Sequence, residues 1–325
     1  MRKYLASSLL LRKIAIFKFG KAVEIYYCGG MEHLQNKAIW NIYNLDEIFL
    51  PITKYKKECI ALVDSSSSRD GRIVGIEIDP QDIKIVIDHH RDSDLKENGH
   101  NFVLIEEVGA CTTLVAEILY ALNIELEEES MEATLGAIGI LTDTTNFCSA
   151  NRKDAKIFEK LFEKSDHIRY REIVNYEIPK EYYMYLATAL QVMKSKDGRL
   201  VAGLGWIKND EEGAIAFVTE RLSRIPGTTI AIIWGITQNE GNGVVRISVR
   251  SRDITQNLNS YLKKLFGENS GGKLMPDLKG SGGTKRELIS NFWIGPETKE
   301  TITELVQKRI EKFIFEEDTP PAKIN

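Results

Sequence analysis

Two apolar runs in this 325-residue chain end in side chains that can hold a cation. CIALVDSS (59–66) carries Asp64, and IKIVIDHH (83–90) ends in Asp88, His89 and His90. A third carboxylate, Asp143, follows the apolar stretch in GAIGILTDTTNF. All three positions read as carboxylate-bearing strand ends. Carboxylate oxygens combined with imidazole nitrogens suit Mn²⁺, Mg²⁺ or Zn²⁺. A single aspartate at a strand end ordinarily caps or turns the chain, and a histidine pair by itself reads as a solvated loop. Taken together and in this order, the three segments point to a metal site.

Such residues need a scaffold that delivers them to one place. Continuous apolar runs of this length suit strands of a parallel sheet buried on both faces. In an open α/β sheet, ligands collect beyond the carboxyl ends of the strands. Residues 22–28, 59–66, 83–90 and 102–107 read as strands. Helices are expected over 4–19, 35–44, 111–123, 130–141, 153–164 and 168–176. This alternation predicts an α/β fold with a doubly wound, mostly parallel sheet. After Pro179 the pattern changes. A connecting helix near 180–195 leads to strands at 199–207, 228–237 and 243–251, the last two joined by NEGNG. That hairpin signal predicts a second, smaller α/β domain with a mixed sheet. Helices near 211–224, 254–266 and 298–315 would cover it. The expected boundaries are a first domain over 1–176, a linker helix over 177–196, a second domain over 197–317 and a disordered tail over 318–325, with a cleft between the domains.

Composition narrows the function. Lys and Arg number 43 against 47 Asp and Glu, a net charge of −4. A mildly acidic chain is not built for strong non-specific duplex binding, which depends on neutralising many phosphates. A small phosphorylated substrate in a local basic pocket fits better. The four cysteines (28, 59, 111 and 148) form no CxxC pair and read as reduced thiols of a cytoplasmic protein. The basic, apolar start is interrupted by Arg12, Lys13 and Lys18 and reads as an amphipathic helix, with no membrane expected.

VIDHH resembles the motif that names the DHH phosphoesterases, a family of metal-dependent hydrolases. ALVDSSSS resembles the strand–Asp motif before it, and GILTDTTNF the family's fourth motif. The resemblance implies that Asp64 bridges two metals, His89 is a ligand and Asp143 completes the second site. It also implies that Asp88 orients the histidines and that His90 contacts the scissile phosphate. GACTTLVAEIL (109–119) resembles the helix after the DHH strand, whose small and hydroxyl residues pack close to the site.

The C-terminal half resembles the DHH-associated substrate domain of the RecJ-like exonuclease and nano-RNase branch. By that likeness RISVRS (246–251) supplies Arg250 to grip a substrate phosphate. KGSGGTKRE (279–287) resembles a glycine-rich loop, in which Gly280, Ser281, Gly282 and Gly283 offer backbone N–H groups to an anion.

Two places depart from the family pattern. YLASSLLLRK (4–13) resembles the helix after the first metal motif, which puts Met1 and Lys3 where two aspartates belong. Thr284 stands where a histidine usually follows the glycines. His33, in GGMEHLQNKAIWN, reads as a loop residue, with Asn36 nearer the site. The expectation is therefore a Mn²⁺- or Mg²⁺-dependent phosphoesterase, reduced to one ion if the first motif is lost. Its partner would be a short oligonucleotide, dinucleotide or other phosphodiester substrate, and a homodimer is allowed. The alternative is a catalytically impaired relative that binds nucleotides or nucleic acid as a scaffold.

Overall fold

The apolar runs become strands and the striped segments between them become helices. The computed structural model describes residues 2–28, 33–52, 59–65, 67, 78–90, 102–239, 242–252, 257–267, 270–274, 280–287 and 296–315. The chain divides into two compact units, Met1–Glu177 and Ile178–Asn325. The α/β class expected from the sequence holds, with parallel sheets in the first unit and a mixed sheet in the second. The expected tail over 318–325 lies outside the described residues.

The first unit runs α1 (Arg2–Phe19), β1 (Ile25–Tyr27), α2 (Leu34–Tyr43), β2 (Phe49–Pro51), β3 (Ile60–Val63), β4 (Ile83–Asp88), β5 (Phe102–Ile105), α3 (Cys111–Ala121), α4 (Met131–Asp143), α5 (Arg152–Glu163) and α6 (His167–Val174). β1 and β2 pair in parallel, and β3, β4 and β5 form a parallel sheet in that order. The core beside this sheet joins Ile87 to Leu114, Val115, Leu119, Ala137, Ile140 and Leu161, all at most 1 % exposed. Small residues let the helices approach closely. A methyl group at Gly139 would sit 2.9 Å from Thr112 Oγ1 and 3.0 Å from Ala6 Cβ. That close packing brings α1, α3 and α4 together, where Ser7 and Thr112 share a hydrogen bond of 3.1 Å.

One placement differs from the sequence reading. Asp143 ends a helix, α4, and no strand. The helix expected over 130–141 is present, buried on nearly every side, and it runs on to Asp143 as its last residue.

The second unit contains α7 (Lys180–Val192), β6 (Lys194–Lys196), β7 (Arg199–Trp206), α8 (Gly213–Leu222), β8 (Ile230–Asn239), β9 (Asn242–Ser251), α9 (Leu258–Phe266), β10 (Gly271–Leu274), β11 (Gly280–Glu287) and α10 (Pro296–Phe315). Its sheet has the order β10-β11-β9-β8-β7-β6, with β7 and β8 parallel and the other pairs antiparallel. α7 packs on β7 and α8. The segment expected as a glycine-rich loop is strand β11, paired along its length with β9. Its glycines answer to crowding. A methyl at Gly283 would lie 2.3 Å from the Ile247 carbonyl oxygen, and one at Gly280 would lie 2.8 Å from Leu258 Cδ2.

Candidate metal centre

β3 and β4 lie side by side in parallel, with Val63 opposite Ile87. The Asp64 N–H continues the ladder by donating to the Ile87 carbonyl at 2.9 Å. Asp64 then turns into the left-handed region at φ 56, a conformation that aspartate tolerates better than most residues. The turn sets the Asp64 carboxylate beside the end of β4, where Asp88, His89 and His90 leave the sheet. One ligating atom from each of Asp64, Asp88, His89 and His90 lies within 4.8 Å of all the others.

Each member is held by its own contacts. Asp88 Oδ1 accepts from the His89 N–H at 2.8 Å, from His90 Nδ1 at 2.7 Å and from the His90 N–H at 3.4 Å. It therefore fixes the backbone turn and the second imidazole together. His89 Nδ1 lies 3.0 Å from the Val108 carbonyl. A carbonyl only accepts, so Nδ1 carries the proton, and in the neutral ring the lone pair falls on Nε2. That atom lies 3.1 Å from Asp64 Oδ1. A lone pair facing a carboxylate oxygen at this distance calls for a proton or a cation between them. Burial pushes the His89 pKa down, but Asp64 first and Asp143 next more than reverse this and hold it above the ordinary histidine value.

The charge balance fits a cation. Asp64, Asp88 and Asp143 are 0 %, 1 % and 2 % exposed. Buried carboxylates of like charge need a positive partner. Oxygen and imidazole donors suit a divalent ion of the Mg²⁺, Mn²⁺ or Zn²⁺ type. Asp64, Asp88, His89 and His90 are the group among the described residues that could take one. Asp143 stands outside that tight group but acts on the charge of His89 from the end of α4. His90 is the open edge, with 45 % of its side chain exposed.

Two residues to which the sequence reading gave no role at the site support the cluster. Val108 contributes a backbone carbonyl, which no side-chain pattern reveals. Cys111 Sγ donates to the Ile87 carbonyl at 3.2 Å. Burial, then the carboxylates of Asp64 and Asp88, push its thiol well above the usual range, so it stays protonated.

The residues assigned to substrate lie in the second unit. Arg250 Nε bonds Glu220 Oε2 at 3.1 Å, and its Nη1 donates to the Val249 carbonyl at 3.0 Å. Gly280, Ser281, Gly282 and Gly283 lie in β11 between β9 and β10. A nest needs consecutive N–H groups in a turn, whereas these residues are extended and form ladders on both sides, so they build no anion nest. His33 caps α2, its Nδ1 accepting from the Gln35 N–H at 3.1 Å, and Asn36 is buried on the same helix.

No protein-family model matches the chain, and no curated protein matches it. Among solved structures, an exopolyphosphatase-related protein from Bacteroides fragilis is similar at a TM-score of 0.64 and 17% identity, covering 96% of this chain and 89% of its own. A putative family II inorganic pyrophosphatase from Methanococcus jannaschii aligns at a TM-score of 0.44 and 16% identity, covering 95% of each chain. A pGpG-specific phosphodiesterase from Vibrio cholerae aligns at 0.33 and 11%, covering 88% of this chain and 98% of its own. The Bacteroides protein shares the fold over nearly the whole chain.

Proposed function

We propose that this chain is a metal-dependent phosphoesterase of the DHH type, acting on phosphodiester bonds of short oligonucleotides or dinucleotides. One observation carries the reading: Asp64, Asp88, His89 and His90 bring ligating atoms within 4.8 Å of one another beyond two adjacent parallel strands. The shared fold with an exopolyphosphatase-related protein supports phosphoryl chemistry.

Asp64 and His89 are the primary ligands in this proposal, with Asp143 adding negative charge behind them. Mn²⁺ or Mg²⁺ held there supplies charge neutralisation for phosphoryl oxygens and a lowered pKa for water. Val108 keeps the proton of His89 on Nδ1 and so presents Nε2 to the ion. Asp88 accepts from His90 Nδ1, which leaves His90 Nε2 for the substrate. The imidazolium form of His90, the most exposed of the four, can donate Nε2–H to the substrate phosphoryl oxygen while Nδ1–H stays on Asp88, and we assign it this role, since a hydrogen bond that strengthens as negative charge builds favours the transition state. Arg250 is assigned to a second phosphate, and to serve it must exchange Glu220 for substrate.

The test is hydrolysis of a linear dinucleotide with Mn²⁺, comparing the wild-type chain with Asp64→Asn and with a chelator. Turnover that both treatments abolish is the expected result. Ion binding without turnover points instead to the nucleotide-binding relative. Turnover that survives both treatments removes the proposed site from the chemistry.

A further inference from the structure

The proton position on His89 depends on where the Val108 carbonyl is held, and that carbonyl belongs to a short connection between β5 and α3. This connection is gripped by α5, a helix that contributes nothing to the cluster itself. Asp154, in the first turn of α5, is 0 % exposed. Its Oδ2 accepts from the Gly109 N–H at 2.9 Å and from the Asn151 N–H at 2.8 Å, and its Oδ1 accepts from Thr113 Oγ1 at 2.6 Å. The carboxylate therefore ties the residue after Val108 to the first turn of α3. The neighbouring Lys153 adds a second hold, reaching Glu106 at 2.7 Å and Glu117 at 3.3 Å. Gly109 fits only without a side chain, because a methyl there would lie 2.5 Å from Thr144 Cγ2 and 2.6 Å from Asp154 Oδ2. The connection is thus wedged between Asp154 and the residue that follows Asp143.

We propose that Asp154 is a positioning residue for the metal centre: by anchoring Gly109 and Thr113 it holds the Val108 carbonyl where it keeps the proton of His89 on Nδ1 and turns Nε2 toward Asp64. Three hydrogen bonds satisfy the carboxylate, two of them to backbone N–H groups, and two of the three reach residues at least 41 positions away. A helix cap would need only the local bonds. Asn151 and Asp154 do form a capping box, with the Asn151 side chain accepting from the Lys153 and Asp154 N–H groups at 2.7 and 3.1 Å. The contacts to Gly109 and Thr113 are additional to it. The consequence for ion binding rests on the metal reading above; the geometry does not.

The experiment compares the wild-type chain with Asp154→Ala, Asp154→Asn and Asn151→Ala, each checked for fold by circular dichroism. The first readout needs no ion and is the His89 Nδ1–H resonance and its exchange with water, followed by NMR of histidine-labelled protein. The second is the Mn²⁺ dissociation constant. Wild type is expected to show a protected Nδ1–H. Asp154→Ala should lose that protection and weaken Mn²⁺ binding by up to about 10-fold, the low end of the effect of removing a ligand's direct outer partner, because Asp154 acts one step further out through Val108. Asp154→Asn retains one oxygen for the two backbone amides and should restore most of the protection. Asn151→Ala weakens the same helix start but leaves the Gly109 anchor, so it should leave the resonance unchanged. If Asp154→Ala does not fold, Asp154→Ser, whose hydroxyl is too short to reach Gly109, takes its place. An unchanged His89 resonance in the folded Asp154 variant overturns the proposal, as does equal loss in Asn151→Ala. Wild type that binds no Mn²⁺ but shows the expected resonance changes sinks the metal reading and leaves the positioning role standing.

Discussion

His89 has two nitrogens with different jobs, and neighbours 25 and 19 positions away set them. Nδ1 is committed to Val108 and Nε2 faces Asp64, so the ring cannot be read from its own sequence context. What the sequence did show was the meeting of types: an aspartate after one apolar run and Asp-His-His after the next. Asp88 serves both histidines at once, and removing its charge should weaken the whole group. Asp88→Asn is expected to raise the Mn²⁺ dissociation constant about 10–100-fold with the fold retained, as read by calorimetric titration. Arg250 was assigned to phosphate from its motif, and no local pattern points to Glu220, which comes from α8, 30 positions before it. Burial works to raise the Glu220 pKa, but Arg224 and Arg250 outweigh it and hold the group below the ordinary glutamate value. A lowered folded pKa stabilises the protein above the unfolded pKa and loses that contribution as pH falls through the folded value. The stability difference between wild type and Glu220→Gln is therefore expected to be full at neutral pH and to shrink below about pH 4.3, the ordinary glutamate value, in denaturant titrations across that range.

At the scale of elements, strands and helices with clear periodicity were legible, and each exception has its own cause. β11 reads GSGGTKRE, a composition that favours turns, yet it forms a strand through its ladders with β9 and β10, and close neighbours leave room only for glycine at 280 and 283. Tertiary crowding of this kind leaves no local signal in the sequence. Gly283→Ala should press a methyl into the Ile247 carbonyl and lower stability by about 1–3 kcal/mol, seen as a lower denaturation midpoint. The helix read over 130–141 is α4, and Asp143, read separately as a strand end, is the last residue of that same helix. The connection at 106–110 was the least legible part. Its role comes from a backbone carbonyl and from α5, which lies more than 40 positions further along the chain. Gly109→Ala is expected to reduce stability by about 1–3 kcal/mol and to disturb His89, because the added methyl would collide with both Thr144 and Asp154.

Across the whole molecule, each unit has its own core. The first packs Leu10, Ile87, Leu114 and Leu119 against α4 and α5, and the second packs Ile232, Trp234 and Val249 against α9 and α10. The cluster belongs entirely to the first unit. An ion that binds only the folded state stabilises it by about 2.7 kcal/mol at a hundred times its dissociation constant. Hydrogen exchange with and without Mn²⁺ should then show added protection in β3, β4 and α3, and much less in β7, β8 and β9. Among the described residues no helix is long and apolar enough to cross a membrane. Buried carboxylates and the buried His89 imidazole at the ends of two neighbouring strands are proposed to share one cation, and a direct Mn²⁺ titration of the wild-type chain and of the Asp64→Asn, His89→Gln double variant tests this. Saturable binding by the wild type and its loss in a double variant that still folds are the expected results. No binding by the wild type, or equal binding by both, would contradict it.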